Sequence, residues 1–151
     1  MSGFVLKTER LLLCPPGLRE RAALQCLPRL PGWLDDERQP EGYGCLAALC
    51  ECGPVGAMGL FPCVLDGRRL CGLYYGLLPA FRGRGLAAEG AARCLSYAFE
   101  ALRAPLVVAP IPASDLPARR VAERLGMKIE GEHGGKLIYC LHAPSEPGRA
   151  K

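Results

Sequence analysis

The chain has 151 residues, a length that suits one folded domain and leaves no room for two. Half of its residues are apolar and 23% are charged, which indicates a globular protein rather than a disordered one. The net charge is +4, from 19 basic and 15 acidic residues, and this is too mild for the dense basic face of a nucleic-acid-binding protein, so we expect no nucleic-acid partner.

Strands dominate the first half of the predicted fold. Residues 5–13 predict a first strand, and apolar positions at helical spacing predict a helix over residues 18–30. The polar stretch at residues 35–44 is typical of a surface loop. Gly53-Pro54 and Asp66-Gly67 are strong turn signals, and they separate three apolar strand segments, at residues 45–52, 55–61 and 69–78. These segments predict an antiparallel meander with both sheet faces covered, because apolar and polar residues do not alternate cleanly along them.

The hydrophobic pattern changes period after residue 85. Apolar residues recur at helical spacing through residues 86–103, which predicts a long amphipathic helix. A short apolar strand at residues 106–109, a helix at 117–125 and closing strands at 127–130 and 137–141 follow. The element order β-α-βββ-α-β-α-ββ predicts an α/β fold, of the α+β mixed-sheet kind, with helices on both faces. We expect one domain over residues 1–143 and a flexible tail over 144–151.

The nine cysteines fit reduced thiols that pack as small core hydrophobes. The first residues lack the long apolar h-region of a secretory signal, so we expect neither such a signal nor a disulfide framework. No C-x-x-C pair is present, so we expect no metal site. This pattern predicts a cytoplasmic protein. Residues 45–65 carry a single charge, Glu51, and are long enough to span a bilayer, but Gly53-Pro54 interrupts them and we expect no membrane span.

The most informative stretch follows the strand that ends at Pro79. It contains Arg82-Gly83-Arg84-Gly85 and opens directly into the long helix. Glycines let the backbone approach an anion closely, and the first turn of a helix offers unpaired N–H groups at the positive end of its dipole. The stretch therefore predicts a phosphate or pyrophosphate site. Read without its flanks, it also fits a glycine-rich turn with two solvated arginines.

A dinucleotide site is the natural alternative, because Gly83, Gly85 and Ala88 satisfy the loose G-x-G-x-x-G/A pattern. That kind of site needs an acidic residue at the end of the next strand to hold the ribose, and residues 107–110 contain no carboxylate. The antiparallel strands before the loop also contradict a doubly wound parallel sheet. A nucleotide-triphosphate P-loop is excluded because no Gly-Lys-Ser/Thr follows.

Three motifs, which follow one another along the chain in the order that a known family has, resemble that family. Arg82-x-x-Gly85-x-Ala87 resembles the acetyl-CoA signature of the GNAT superfamily, written Q/R-x-x-G-x-G/A. Thr8-Glu9-Arg10-Leu11-Leu12-Leu13 resembles the opening strand of the ribosomal-protein alanine N-acetyltransferase-like branch, and Leu125-Gly126-Met127 with Glu130-Gly131 resembles its closing segment. The resemblance implies the GNAT acyl-CoA N-acyltransferase fold, in which the strand ending at Pro79 splays in a V from the next strand.

The resemblance implies acetyl-CoA as co-substrate, bound in that V-shaped cleft. Backbone groups near Leu77 and Leu78 would pair with the pantetheine arm, and the N–H groups of residues 82–87 would hold the pyrophosphate. Arg120 is either a contact to a cofactor phosphate or part of a solvated helix face. The expected cofactor-binding residues are Leu77, Leu78, Arg82, Gly83, Arg84, Gly85, Leu86, Ala87, Asp115 and Arg120.

The family's proton-transfer residues are replaced in this sequence. An Asn-x-x-Ser segment before the last helix reads Asp115-Leu116-Pro117-Ala118, a general-acid tyrosine position holds Ala122, and residues 70–76 contain no carboxylate. Tyr75 (or Tyr74) and Asp115 are the remaining catalytic candidates. A tyrosine here also fits a packing role, and Asp115 also fits a helix N-cap.

Two functions follow from the resemblance. The first is an N-acetyltransferase that moves acetyl from acetyl-CoA to a primary amine, in a small molecule or at a peptide N-terminus, by direct attack in a ternary complex. The second is a catalytically weak acyl-CoA-binding module that senses or sequesters its ligand. A second copy of the chain is a further candidate partner, through pairing of a closing strand.

Overall fold

The computed structural model describes residues 4–34, 36 and 39–144. Its strands and helices are, in chain order, β1 (Leu6–Lys7), β2 (Leu12–Cys14), α1 (Leu18–Leu24), β3 (Gly44–Cys50), β4 (Gly53–Leu65), β5 (Arg68–Leu77), α2 (Leu86–Glu100), β6 (Leu106–Pro112), α3 (Leu116–Arg124), β7 (Lys128–His133) and β8 (Lys136–His142). A 3-10 turn at Pro79–Phe81 lies between β5 and α2. The strands form one mixed sheet in the spatial order β1-β2-β3-β4-β5-β6-β8-β7, which confirms the predicted fold class.

The first two predicted elements are wrong in length. The strand predicted over residues 5–13 is two short antiparallel strands, β1 and β2. Between them the Thr8 N–H donates to the Leu11 carbonyl and the Leu11 N–H donates to Thr8 Oγ1, both at 2.9 Å, which closes a turn. The helix predicted over residues 18–30 ends at Leu24. Pro28 lacks the N–H that would extend it, and proline disfavours helical backbone at the preceding residue.

β3, β4 and β5 form the predicted antiparallel meander. β4 and β5 are joined by Asp66 (φ 51°) and Gly67 (φ 77°), two left-handed residues whose twist suits a tight hairpin. β4 continues to Leu65 rather than ending at residue 61 as predicted. The added length lays the end of the hairpin against β6 and β8, where Cys63 shares a buried cluster with Val108, Ile138 and Cys140.

The sheet opens between its two central strands. β5 and β6 are parallel and are paired at two positions, Cys71 with Val107 and Gly72 with Val108, and both strands run on beyond this point. β5 stays paired with β4, and β6 stays paired with β8 along its whole length. Because each strand keeps its outer partner and loses its inner one, a V-shaped gap forms, as the resemblance implied.

Helices cover both faces of the sheet beside this gap. α2 packs over β4 and β5, and Gly90 allows a close approach, since a β-carbon there would lie 2.2 Å from Met58 Sδ. α1 packs on the opposite face, over a second cluster comprising Leu24, Leu27, Ala47 and Ala57. β7, the edge strand, is exposed at every residue.

The nine thiols are all unpaired in the structure. Five of them are buried, namely Cys45, Cys63, Cys71, Cys94 and Cys140, and burial raises the pKa of the Cys71 thiol to about 11 and of the Cys94 thiol to about 12. Cys26 and Cys52 are exposed, so the prediction of core thiols does not extend to them.

Two further observations concern the described residues only. No helix in that part of the chain is long and apolar enough to cross a membrane. No group of three or more His, Cys, Asp and Glu side chains within it is placed to hold a metal ion. The tail predicted over 144–151 lies outside the described residues from position 145 onward, as do residues 35, 37 and 38 of the predicted loop.

Candidate active site

A cleft of about 1060 Å³ occupies the gap between β5 and β6. One side of it is lined by the loop at residues 82–85 and by α3. The other side is lined by the segment after α1 and by the end of the β4–β5 hairpin. The splay thus makes one continuous cavity out of spaces on the two faces of the sheet.

The loop before α2 has the geometry of an anion site. Gly83 (φ 81°) and Gly85 (φ 78°) both have left-handed backbone, which glycine adopts without the strain that a side chain brings. Gly85 is the N-cap of α2 and supplies no capping side chain, so the first N–H groups of the helix have no intrahelical acceptor. These donors and the positive end of the helix dipole favour a phosphate.

Four cationic side chains line the cleft around this loop: Arg82, Arg84, Arg120 and Arg124. The Arg84 guanidinium lies 5.7 Å from the centre of the Phe81 ring, a distance typical of cation–π contact. A β-carbon placed on Gly85 would lie 3.8 Å from Arg124 Nη1 and 3.5 Å from Arg10 Nη2. Two arginines absent from the predicted site, Arg10 and Arg124, therefore converge on the anion loop.

Arg10 is held in place by Glu89, in the first turn of α2. Its backbone N–H and its Nε each donate to the Glu89 carboxylate at 2.7 Å, and the Thr8 hydroxyl donates to the same carboxylate. Arg10 Nη1 donates to the Arg84 carbonyl at 3.0 Å. Partial burial opposes ionisation of Glu89, but the hydrogen bonds from Thr8 and Arg10 outweigh it and the pKa of this carboxyl is lowered. The turn between β1 and β2 is thereby tied to the anion loop.

The structure brings most of the expected cofactor-binding residues into the cleft. Its lining includes all of them except Leu78 and Leu86. The Leu78 N–H donates to the Val55 carbonyl at 2.8 Å, and the Leu78 carbonyl accepts from the Phe81 N–H at 3.0 Å, so both backbone groups are already used. Leu86 is a core residue, although its N–H belongs to the first turn of α2. Backbone groups alternate sides along a strand, so those of Leu77 point away from β4 and toward the gap.

Tyr75 and Tyr74 lie on opposite faces of β5, on the two sides of the cleft. The Tyr75 hydroxyl donates to the Ala118 carbonyl of α3 at 2.7 Å, and burial, with added repulsion from Asp115, raises its pKa above the ordinary range. The Tyr74 hydroxyl donates to the Pro28 carbonyl at 2.9 Å, and burial raises its pKa too. Both phenols are therefore protonated at neutral pH and directed at backbone carbonyls.

Asp115 is the N-cap of α3, as one of its two predicted roles required. Its Oδ1 accepts from the Ala118 N–H at 3.2 Å, and its Oδ2 lies 3.6 Å from Arg29 Nη2 across the cleft. The side chain remains 34% exposed and lines the cleft. Arg120 of α3 also lines the cleft, whereas its neighbour Arg119 does not and donates from Nε to the Tyr139 hydroxyl at 3.0 Å.

An opened mixed sheet with an anion loop at the mouth of the gap is the arrangement that the sequence resemblance implies for an acyl-CoA-dependent acyltransferase. Residues 14–128 match the sequence model of the acetyltransferase (GNAT) domain, and the chain belongs to this family.

Solved structures agree with this assignment over nearly the whole chain. An acetyltransferase from Agrobacterium tumefaciens str. C58 is 26% identical, with a TM-score of 0.75 and coverage of 94% of this chain and 96% of that one. RimJ from Mycobacterium smegmatis, in complex with CoA-disulfide, is 18% identical, with a TM-score of 0.71 and coverage of 93% and 86%. A protein from Vibrio cholerae assigned as a ribosomal-protein-serine acetyltransferase is 14% identical, with a TM-score of 0.67 and coverage of 94% and 99%. The last two likenesses show the fold, and the branch within the family stays a prediction.

Proposed function

We propose that this protein transfers an acetyl group from acetyl-CoA to a primary amine, in a small molecule or at a protein N-terminus. The observation that carries the proposal is the single cleft that joins an anion loop on one face of the sheet to a chamber on the other face. Such a cavity lets two substrates enter from opposite sides and meet at the splay, so that the enzyme contributes mainly their positioning.

The residues on the loop side fit coenzyme A. The N–H groups at the start of α2 and the guanidinium groups of Arg82, Arg84, Arg120 and Arg124 suit its phosphates. The Leu77 backbone groups, which face the gap, suit the amide-containing arm in the manner of an added strand. Ala87 and Ala88, small residues in the first turn of α2, leave room for a close approach.

When bound, acetyl-CoA supplies an activated acetyl thioester. The amine nitrogen forms a bond to the acetyl carbon, the carbon–sulfur bond breaks, coenzyme A leaves as a thiol, and one ammonium proton is released. We assign acceptance of that proton to Asp115, the ionisable carboxylate that lines the cleft near the splay. Tyr75 is not available for this step because its hydroxyl is held by the Ala118 carbonyl.

Calorimetric titration with acetyl-CoA tests the cofactor half of the proposal, with NAD as the control ligand. Micromolar binding of acetyl-CoA and no binding of NAD are expected. Gly85→Glu should abolish this binding because it adds a carboxylate to the anion site. Gly131→Glu is the matched control, since Gly131 lies on β7 outside the cleft and has open space around it. Unchanged acetyl-CoA affinity in Gly85→Glu would show that the loop does not hold the phosphates.

Acetyl transfer is then measured by mass spectrometry of the amine. Thiol reagents that detect released coenzyme A are unsuitable because the protein itself has nine free thiols. Acetylation of an amine at ordinary enzymatic rates is the expected result.

The second candidate, an acyl-CoA-binding module without efficient catalysis, is favoured by one observation. The Tyr75 hydroxyl and the Asp115 carboxylate both hold α3 in place, and Ala118 offers no side-chain proton donor near the splay. Tight binding of acetyl-CoA without acetylation of any amine would favour this function over the first.

A further inference from the structure

We infer that the acceptor is an amine carried on an apolar group with an anionic group nearby, of which an amino acid with a large apolar side chain is the simplest example. This inference rests on the proposed acetyl transfer. It concerns the chamber on the α1 side of the cleft, which is lined by the segment after α1, the end of the β4–β5 hairpin and the β7–β8 turn.

The two faces of the cleft have different roles because Tyr75 and Tyr74 point to opposite sides. The Tyr75 side holds α3 and the anion loop, where the cofactor phosphates fit. The Tyr74 side, where the phenol meets Pro28, is reached through the splay. A cofactor that enters along the anion loop therefore leaves the Tyr74 side for the acceptor.

The chamber on the Tyr74 side is mostly apolar. The hairpin end covers it, and its apolar lining comprises Leu27, Pro31, Phe61, Cys63, Leu65 and Ile138. Burial of each methylene group of a ligand in such surroundings is worth roughly fourfold in affinity. A large apolar substituent on the acceptor is therefore a strong determinant of binding.

The charged groups of the chamber favour an anion over a second cation. The basic side chains of Arg29 and Lys136 line it beside the His133 imidazole, and Lys136 is close enough to Cys63 to oppose the rise that burial causes in the pKa of that thiol. Among the described residues, Asp115 is the carboxylate in the lining, and its charge is already balanced by Arg29. Asp66, beside His133 at 3.7 Å, is highly exposed at the outer end of the hairpin.

Polyamines and aminoglycosides fit such a chamber poorly, because each amine beyond the reacting one would lie near a positive side chain without a carboxylate to pair with. A carboxylate beside the reacting amine would be attracted by Lys136. Charge and shape therefore select the same kind of acceptor.

The test measures binding of acetylated products to the protein saturated with coenzyme A, so it does not depend on turnover. N-acetylleucine, N-acetylglycine and N-acetylspermidine are titrated calorimetrically. N-acetylleucine should bind at least about tenfold more tightly than the other two, from its buried methylenes and from its charge. Lys136→Glu should remove most of that advantage over N-acetylspermidine. Lys128→Glu, on the exposed edge strand β7, is the matched control and should change nothing.

The outcomes separate this inference from the proposed function. Absence of coenzyme A binding would overturn the proposed function. Normal coenzyme A binding with preference for N-acetylspermidine, or with no binding of any product, would overturn the acceptor inference alone. A preference for N-acetylleucine that Lys136→Glu leaves unchanged would overturn the role given to the positive charge.

Discussion

Replacement of Glu89 by glutamine should destabilise the fold by about 2–3 kcal/mol. The Glu89 carboxylate is 18% exposed and accepts hydrogen bonds from the Thr8 hydroxyl, the Arg10 backbone and Arg10 Nε. Hydrogen bonds to a charged group contribute roughly 1.5–3 kcal/mol each when shielded from water. The Arg10 side chain is 49% exposed, so its ion pair adds about 1 kcal/mol or less. The glutamine side chain also replaces one acceptor oxygen by an NH2 group, so that this group faces one of the three donors without an acceptor between them.

The assay is denaturant and thermal unfolding of the wild type and Glu89→Gln, with Glu100→Gln at the far end of α2 as control. A loss of this size lowers the melting temperature by about 4–12 °C in a protein of this length. Arg10 also holds the Arg84 carbonyl, so the variant should bind acetyl-CoA several-fold more weakly. Glu100→Gln should do neither.

The pH dependence of this difference is a stricter test. The folded-state pKa of Glu89 is lowered from its ordinary value of 4.5. A depressed pKa contributes stability that is present above the unfolded-state pKa and lost as the pH falls through the folded-state value. The gap between wild type and Glu89→Gln should therefore be largest near neutral pH and shrink below about pH 4.5. A gap under about 0.5 kcal/mol at neutral pH, or one that does not change with pH, would refute the reasoning.

Substitutions at three further positions test the cleft and the strand beside it. Gly56→Ala should destabilise the fold by about 2–3 kcal/mol in thermal unfolding, because its β-carbon would lie 2.1 Å from the Gly76 carbonyl oxygen in the neighbouring strand. Tyr75→Phe should cost about 1 kcal/mol by removing the hydrogen bond to the Ala118 carbonyl, and it should lower kcat by less than about tenfold, since that hydroxyl is not a proton donor in the reaction. Asp115→Ala should cost about 1 kcal/mol through loss of the helix cap, whereas Asp115→Asn should keep the cap and lower kcat by about a hundredfold.

Each of these has an informative failure. Gly131→Ala, where a β-carbon meets nothing within 4 Å, is the control for Gly56→Ala and should be close to neutral. A hundredfold loss of kcat in Tyr75→Phe would show that the Tyr75 hydroxyl takes part in catalysis, contrary to the proposal. Full activity in Asp115→Asn would leave the proton to solvent, and full stability in Asp115→Ala would contradict the capping role.

The parts of the fold that are encoded locally follow from the sequence. α2 and the meander depend on periodicity and on turn residues that are close together in the chain, and the sequence predicts both elements. The first turn, however, lies at residues 51–52, and the predicted turn residues Gly53-Pro54 begin β4. The sequence pattern does not show the break between β1 and β2, because the Thr8 hydroxyl that closes the turn lies in an otherwise strand-like run. The predicted helix runs past the end of α1 because apolar spacing continues beyond Leu24, although Pro28 carries the opposing signal.

The site divides in the same way. The anion loop is a run of consecutive residues, so the sequence alone predicts an anion site there. Arg10 and Glu89 are 79 positions apart, and no local pattern shows that they meet. The acceptor chamber likewise combines segments near residues 27–31, 61–65 and 133–138, so its character emerges only from the packing of the hairpin end. The hydrogen bond from the Tyr75 hydroxyl to the Ala118 carbonyl cannot be predicted from the sequence either, because it depends on how α3 packs against β5.

β5 and β6 are joined by two residue pairs, so backbone pairing is sparse at the centre of the sheet. On one side five strands are held by ladders such as the ten pairs of β4 with β5, and on the other side β6, β8 and β7 form a smaller unit. A ligand that contacts the anion loop on one unit and α3 on the other bridges the two units and holds them together. Binding of acetyl-CoA should therefore slow amide hydrogen exchange on both sides, including strands that the ligand does not touch.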